Sequence, residues 1–598
     1  MQERPGTAYV PPLDDIWFVL DEIVDLRALT ALPCFEHAEP ELLSGVLAEA
    51  GRFVAEVIAP LNRVGDEQHS RRNADGTVTT PDGFAEAYER YVAAGWGSVP
   101  FPADYGGGGF PWLVATVLGE LLAASNLAFA LCPTLTQGAI ELLLAHGSEE
   151  QRETYLPRLV TGEWTGTMNL TEPDAGSDLG AVRTRAVPDG DGTWRVSGQK
   201  IFITYGDHDL SANIVHLVLA RVPDAPPGTR GISCFIVPKW LVGPDGASGE
   251  RNRVSCLSIE DKLGIHASPT CTLEFDDAVG YLIGEPNQGM RYMFTMMNNA
   301  RLCVGVQGLA VAERAYQQAL GYARERQQGR ALGTTAGTSS PIIDHLDVRR
   351  MLLTQKASIE AVRSLAYLLA ESMDLAAEHP DGAVREARRE LVELLTPVTK
   401  AWGTDLGVEL TSLALQVHGG AGYIEETGVA QHARDARIAP IYEGTNGIQA
   451  IDLVMRKLPI RGGRAISDLL DEIGALDDRL AAEGSNLSEV RTSLADGVAV
   501  LRQATEWIAG ADPADALAGA TPYLRLFGIV LGGWLMARQA VAARALLDDA
   551  PGDRVAFLEA KVVTAKFYCV QLLPQAGGLL PAVTAGSTDL LVLSPDQF

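Results

Sequence analysis

Paired cysteines are missing from this chain. Its seven cysteines (Cys34, Cys132, Cys234, Cys256, Cys271, Cys303 and Cys569) are odd in number and scattered, with no CxxC and no Cys/His spacing. That excludes a disulfide framework, suggests no metal site, and predicts reduced thiols in a reducing, cytoplasmic compartment. Positive charge is scarce too. Lys and Arg number 48 against 76 Asp and Glu, a net charge of −28. Such a surface repels phosphate backbones, so nucleic acid is not an expected partner. A polyanionic ligand would need local bases at its own site. Long apolar runs are also absent. The longest near the C-terminus, Leu526 to Met536, has 11 residues and contains Gly528, Gly532 and Gly533. It is too short to span a bilayer and predicts a buried helix. The opening stretch, MQERPGTAYVPPLDD, lacks the apolar core of a leader peptide.

What is present is ordinary globular material: 47% hydrophobic and 21% charged residues. At 598 residues the chain exceeds one core, and two to four domains are expected. Residues 1–165 read as mostly helical, with apolar spacing through Glu41–Ile58, Phe84–Val92, Leu113–Leu122 and Ala139–Ala145. The run Pro102 to Phe110 is glycine-rich but lacks a P-loop lysine and predicts a connection. Residues 166–282 change to short alternating runs: Trp194–Val196, Ile201–Thr204, Ile214–Val222, Gly231–Pro238 and Cys271–Phe275. These predict a β-sandwich or barrel-like domain. Residues 283–460 return to long helices, with Arg301 at the start of the first, Asp347–Leu375 as the second, Glu386–Ala414 interrupted near Pro397, and Gly447–Leu458. They predict a four-helix bundle. Residues 461–598 keep helical spacing and carry no catalytic signature, which predicts an extra packing or oligomerisation domain.

The chemistry concentrates in Gln416 to Lys457. Glu443 stands between an apolar lead-in (Ile438, Pro440, Ile441, Tyr442) and Gly444-Thr445-Asn446. A carboxylate buried beside apolar residues should have a raised pKa, which suits a general base near neutral pH. Read alone, a single Glu there is a surface turn residue. Other motifs add weight. Met168-Asn169-Leu170-Thr171-Glu172-Pro173-Asp174-Ala175-Gly176-Ser177-Asp178 supplies a turn-rich loop with two hydroxyls, and Ser197-Gly198-Gln199-Lys200-Ile201-Phe202-Ile203-Thr204 follows it.

Together these segments resemble the acyl-CoA dehydrogenase family over roughly residues 35–460, and more loosely beyond. The N-terminal Tyr9 to Leu20 and the C-terminal extension resemble a long subgroup, which includes 3-methylmercaptopropionyl-CoA and broad-range fatty acyl-CoA dehydrogenases. The resemblance implies FAD contacts at Met168, Leu170, Thr171, Gly176, Ser177, Phe202, Ile203 and Thr204. Others fall at Arg326, Gln416, Gly419, Gly420, Thr445 and Gln449. It implies acyl-CoA contacts at Ser177, Asn298, Arg301, Tyr442 and Gly444. Asp261 to Ser268 resembles a segment near the substrate, with no catalytic role for His266. The segment after Arg326 lacks the Phe common in relatives. Some relatives carry the base immediately before the equivalent of Arg301; here that residue is Ala300, so Glu443 is the candidate.

The implied reaction is α,β-dehydrogenation of an acyl-CoA thioester to the trans-2-enoyl-CoA, with Glu443 as α-proton base and flavin N5 as hydride acceptor. Electron-transfer flavoprotein is the implied acceptor of the electrons. The alternatives are an acyl-CoA oxidase that hands them to oxygen, and a non-redox relative that binds nucleic acid, which the acidic charge disfavours. Arg301 and Arg326 would lie about 37 Å apart on one helix at a 1.5 Å rise. In the family the second serves a neighbouring subunit's FAD, which implies a homodimer or dimer of dimers.

Overall fold

A computed structural model describes residues 8–243, 246–333 and 339–598, with the side chain of Met296 excepted. The first seven residues of the N-terminal stretch read above lie outside the described residues. The protein is mainly helical with a central β-domain. In chain order it has α1 (Leu13–Glu22), α2 (Trp112–Ser125) and α3 (Leu127–His146). The strands of the main sheet follow: β1 (Trp164–Asn169), β2 (Arg185–Pro188), β3 (Trp194–Thr204), β4 (Asn213–Ala220), β5 (Ser233–Pro238), β6 (Val254–Ile259) and β7 (Thr270–Leu282). The later helices include α4 (Gly289–Glu325), α5 (Leu346–Glu378), α6 (Gly382–His418), α7 (Asn446–Asp452), α8 (Pro513–Leu547) and α9 (Gly552–Phe567). The chain divides into two compact units. One comprises Glu49–Phe110 and Leu121–Cys303, and the other Met1–Ala48, Pro111–Glu120 and Val304–Phe598.

The first of these units is built on a seven-stranded sheet of order β1-β4-β5-β7-β3-β2, with β6 paired to β7. β1 and β4 run parallel, Trp164 opposite Asn213, and the other pairs are antiparallel. Ile203, Val218, Phe235, Leu273 and Phe275 meet in its core. The strands β3 and β7 run 11 and 13 residues, longer than the short runs read from sequence. The polar interruptions Ser197-Gly198 and Asp276-Asp277 look like turns. Instead, a register shift between Phe275 and Ala278 absorbs them as a bulge. Helix α3 packs on β1: Gly166 N–H donates to Thr136 Oγ1 at 3.1 Å.

The second unit holds the helical bundle. Helix α4 begins at Gly289, twelve residues before Arg301, so Arg301 lies inside it and not at its start. The helix runs through Asn298-Asn299 and Arg301 without a break. Helix α6 likewise passes Pro397 without interruption. A mid-helix proline costs about 3 kcal/mol. Val392 through Thr404 are almost all buried, and that packing outweighs the cost. The fourth helix, α7, is only seven residues before a wider turn over Leu453–Lys457. Helices α4 and α6 cross at glycines. A Cβ at Gly308 would lie 2.4 Å from Gly403 O, and one at Gly305 would lie 2.7 Å from Thr399 O.

The C-terminal residues share this core. The apolar run read as 11 residues belongs to a 35-residue helix, α8. Its small residues extend the helix beyond the strictly hydrophobic stretch. Both α3 and α8 are long and apolar enough to cross a membrane, but their apolar stretches are mostly buried inside the protein. They are core helices. Gly528 and Gly532 form a groove on α8 for Trp402 of α6: a Cβ at Gly528 would meet Trp402 Cγ at 2.4 Å. Buried ion pairs tie the parts to α5. Lys561 on α9 meets Asp15 on α1 at 2.5 Å and Glu360 on α5 at 3.3 Å. Arg363 sits between Glu120 at 2.8 Å and Glu313 at 2.9 Å. Tyr367 donates its hydroxyl to Glu120 at 2.7 Å.

Candidate functional site

The loop that carries Glu443 adopts an uncommon backbone. Glu443 has φ +53° and Gly444 φ +82°, both in the left-handed region. A non-glycine residue there costs about 1–3 kcal/mol and persists only where its surroundings fix it. Three side chains fix it. Tyr442 donates its hydroxyl to Gln307 on α4. Gln449 on α7 donates to Gly444 O at 3.1 Å. Asn446, the first residue of α7, is the hub. Its Oδ1 accepts from Lys400 Nζ at 2.9 Å, and its Nδ2 donates to Asp405 Oδ1 at 2.7 Å and Ala401 O at 3.1 Å. Burial raises the Asp405 carboxyl, and the Asn446 donor opposes that shift. Glu443 itself is half-buried, and Ile441 before it is exposed. Thr445 is the N-cap residue of α7.

Sequence reasoning did not find Lys400, Asp405 or Gln307. Their partners lie about 40 to 135 positions away, and only the fold brings them together. Replacing Asn446 by Ala should remove this half-buried partner from Lys400 and Asp405. The expected loss is about 1–3 kcal/mol of stability, read by thermal denaturation. An unchanged midpoint would show the hub to be idle.

Other site residues of the same unit gather elsewhere on the bundle. Gly419 and Gly420 follow the C-terminal end of α6, and Gln416 is exposed in its last turn. Arg326 is exposed just past the end of α4. These ends are neighbours, because Tyr322 of α4 stacks on His418 of α6 with ring centroids 4.5 Å apart. Thr404, beside Asn446, and Gly419 are fifteen positions apart along α6, about 22 Å at the helical rise. The bundle therefore carries two separate groups, one at Glu443 and one at Arg326, Gln416, Gly419 and Gly420.

In the sheet unit, the Leu170–Ser177 loop lies beside β3. Ile201 N–H donates to Thr171 O at 3.0 Å. Met168, Leu170, Thr171 and Thr204 are half-buried, Gly176 and Ser177 are exposed, and the Phe202 ring is 59% exposed with φ +59°. The Ile203 side chain points into the sheet core, so only its backbone can meet a ligand. Asn298 is half-buried and Arg301 buried on the early part of α4. Beside Asn298, Asn299 donates to Glu141 Oε2 of α3 at 2.9 Å, and burial pushes that carboxyl up to about 8. Beneath the loop, Lys200 and Glu172 form an ion pair of 2.8 Å away from solvent. The signal in the sequence was a lysine within the apolar alternation of β3.

The chain also matches known proteins along its length. Residues 44–163 match the N-terminal domain of acyl-CoA dehydrogenases, 167–278 the middle domain and 287–458 the C-terminal domain. Residues 469–594 match a domain described as acetyl-CoA dehydrogenase C-terminal like. The chain is 46% identical over 589 residues to the 3-methylmercaptopropionyl-CoA dehydrogenase of Ruegeria pomeroyi, covering 98% of this chain and 100% of that protein. It is 34% identical to a broad-specificity linear acyl-CoA dehydrogenase of Mycobacterium tuberculosis, covering 94% and 95%. The fold is shared with an acyl-CoA dehydrogenase of Bacillus anthracis complexed with FAD, at TM-score 0.72 and 21% identity, over 97% of this chain and 92% of that one. On this similarity of the whole chain, the protein belongs to the acyl-CoA dehydrogenase family, oxidoreductases that act on CH–CH bonds.

Proposed function

We propose that the protein is an FAD-dependent acyl-CoA dehydrogenase in which Glu443 removes the α-proton of the thioester. The observation that carries this reading is a carboxylate held in left-handed backbone by a half-buried side-chain hub, Asn446, bonded to the buried Lys400 and to Asp405. Strain of that kind is stored where a group must be aimed.

The residues present fit FAD. A Cβ at Gly176 or Gly420 would meet nothing within 4 Å, and neither residue has a positive φ. The chain itself gives no reason for glycine at either place, whereas the close approach of a ligand to the backbone does. Thr171, Ser177 and Thr204 supply hydroxyls, and exposed Phe202 supplies an aromatic face. Bound FAD would accept the β-hydride that leaves as the α-proton is taken. Arg301, Asn298, Ser177, Tyr442 and Gly444 bind and orient the acyl-CoA. The Glu443 N–H donates to the thioester oxygen as negative charge gathers there. Arg326, Gln416, Gly419, Gly420, Thr445 and Gln449 complete the FAD contacts. The 22 Å between the two groups of the bundle supports service to separate FAD molecules in a homodimer or dimer of dimers. Electron-transfer flavoprotein takes the electrons onward.

The test is an anaerobic titration of the purified protein with straight-chain acyl-CoAs of graded length and 3-methylmercaptopropionyl-CoA, followed by flavin absorbance. Bleaching by one of them, with slow re-oxidation in air, is the expected result and names the substrate class. Rapid re-oxidation by oxygen would instead identify an oxidase. No bleaching with any thioester would refute the proposal.

A further inference from the structure

Lys200 is fully buried in β3. Its ammonium donates to Leu170 O at 3.0 Å and to Glu172 Oε1 at 2.8 Å. The Glu172 carboxylate also accepts from Arg183 N–H at 2.6 Å, Thr184 N–H at 3.0 Å and Thr184 Oγ1 at 2.5 Å. Burial opposes the charge on Glu172, but Lys200 and these donors outweigh it and hold the carboxyl below its usual range. Burial lowers Lys200 to about 8, which leaves it charged at neutral pH. A buried ion pair of this kind is no cheaper than apolar packing of the same volume. Its contribution must be sought in what the charges hold still.

What they hold is one peptide. In a trans peptide the C=O and N–H point in opposite directions. Leu170 O is turned onto Lys200, so the N–H of Thr171, on the far side of the same peptide, is turned away from it. The next peptide is fixed as well. Thr171 O accepts from Ile201 N–H at 3.0 Å, and Glu172 N–H donates to Ala175 O at 3.0 Å. The loop cannot turn the Leu170–Thr171 peptide without breaking the bond to Lys200. The ammonium also polarises that peptide, and a polarised N–H is a stronger donor.

We propose that Lys200 and Glu172 are a positioning pair that aims the Thr171 N–H at the isoalloxazine of FAD and sets how strongly the site favours the reduced flavin. This rests on the reading of Leu170 and Thr171 as FAD contacts. Neither side chain touches the cofactor; both act through the Leu170–Thr171 peptide. A reduced flavin carries more electron density than the oxidised form, so a stronger donor favours the reduced form.

The experiment measures FAD affinity and flavin midpoint potential in the full-length protein. In Lys200→Met, the ratio of affinities for reduced and oxidised FAD is expected to fall about tenfold, a drop of about 30 mV for a two-electron couple. Oxidised FAD should bind several-fold more weakly. Glu172→Gln keeps the ammonium and removes its counter-charge, so its potential should move up. A purely structural pair would weaken FAD in both variants without opposite shifts of potential. A folded Lys200→Met with wild-type potential overturns the proposal. Should that variant fail to fold, Lys200→Met with Glu172→Gln leaves no unpaired charge, and it too must show the lowered potential. A wild-type protein that binds no FAD would overturn the proposed cofactor instead.

Discussion

Glu443→Gln is expected to lower turnover by about 10²–10⁴-fold while flavin content and melting temperature stay at wild-type values. The magnitude is that of losing a positioned general base. Gln has the shape of Glu and cannot take a proton from carbon. The loop should survive the change, because Asn446, Gln449 and Tyr442 anchor it from both sides. Steady-state assays with an artificial electron acceptor, beside the flavin spectrum of the same sample, separate the two effects. Wild-type turnover would remove Glu443 from its assigned role. Turnover and flavin lost together would mean that the residue holds the site instead of performing its chemistry.

Arg363→Met should be the most destabilising single change in the bundle. Arg363 lies between Glu120 and Glu313, all three essentially buried. Its removal leaves two carboxylates facing each other in a medium that cannot solvate them. Breaking one buried pair costs about 3–5 kcal/mol, and this guanidinium serves two. Tyr367, which donates to Glu120, cannot replace it. Denaturant melts of the variant should shift accordingly. The triple variant with Glu120→Gln and Glu313→Gln should recover most of the loss, since none of the three positions then carries a charge. If the single variant melts as the wild type does, the cluster contributes nothing net.

These two residues mark how far the sequence could be read. Glu443 was legible because its motif is local: the apolar lead-in, the carboxylate and the small-polar stop are consecutive. Arg363 was not, because its partners lie 243 and 50 positions away. The same divide explains the misread breaks. Pro397 and Ser197-Gly198 are local signals for stopping an element. In each place, packing or pairing with distant residues kept the element intact. The glycines of α8 were legible as part of a buried helix, but their purpose was not. Trp402 fills the space they leave, and no local pattern connects it to Gly528. The left-handed backbone at Glu443 also left no trace in composition, since non-glycine residues seldom adopt it.

The ties between the chain's beginning and its end bear on how the protein is made. Arg538 of α8 donates to Ile23 O, the cap of α1, across 515 positions. Asp15 on the same early helix pairs with Lys561. A ribosome adds about 5–20 residues per second, so α1 waits roughly 25–100 s for Ala542, Ala543 and Leu558, on which its Phe18 packs. Until then its apolar face, with Ile16, Phe18 and Val19, has no finished core to enter. The sheet unit uses none of the chain beyond Cys303 and can close while synthesis continues. The helical unit is thus the last to form, and the stretch of synthesis before α9 emerges is when a nascent chain most needs a chaperone.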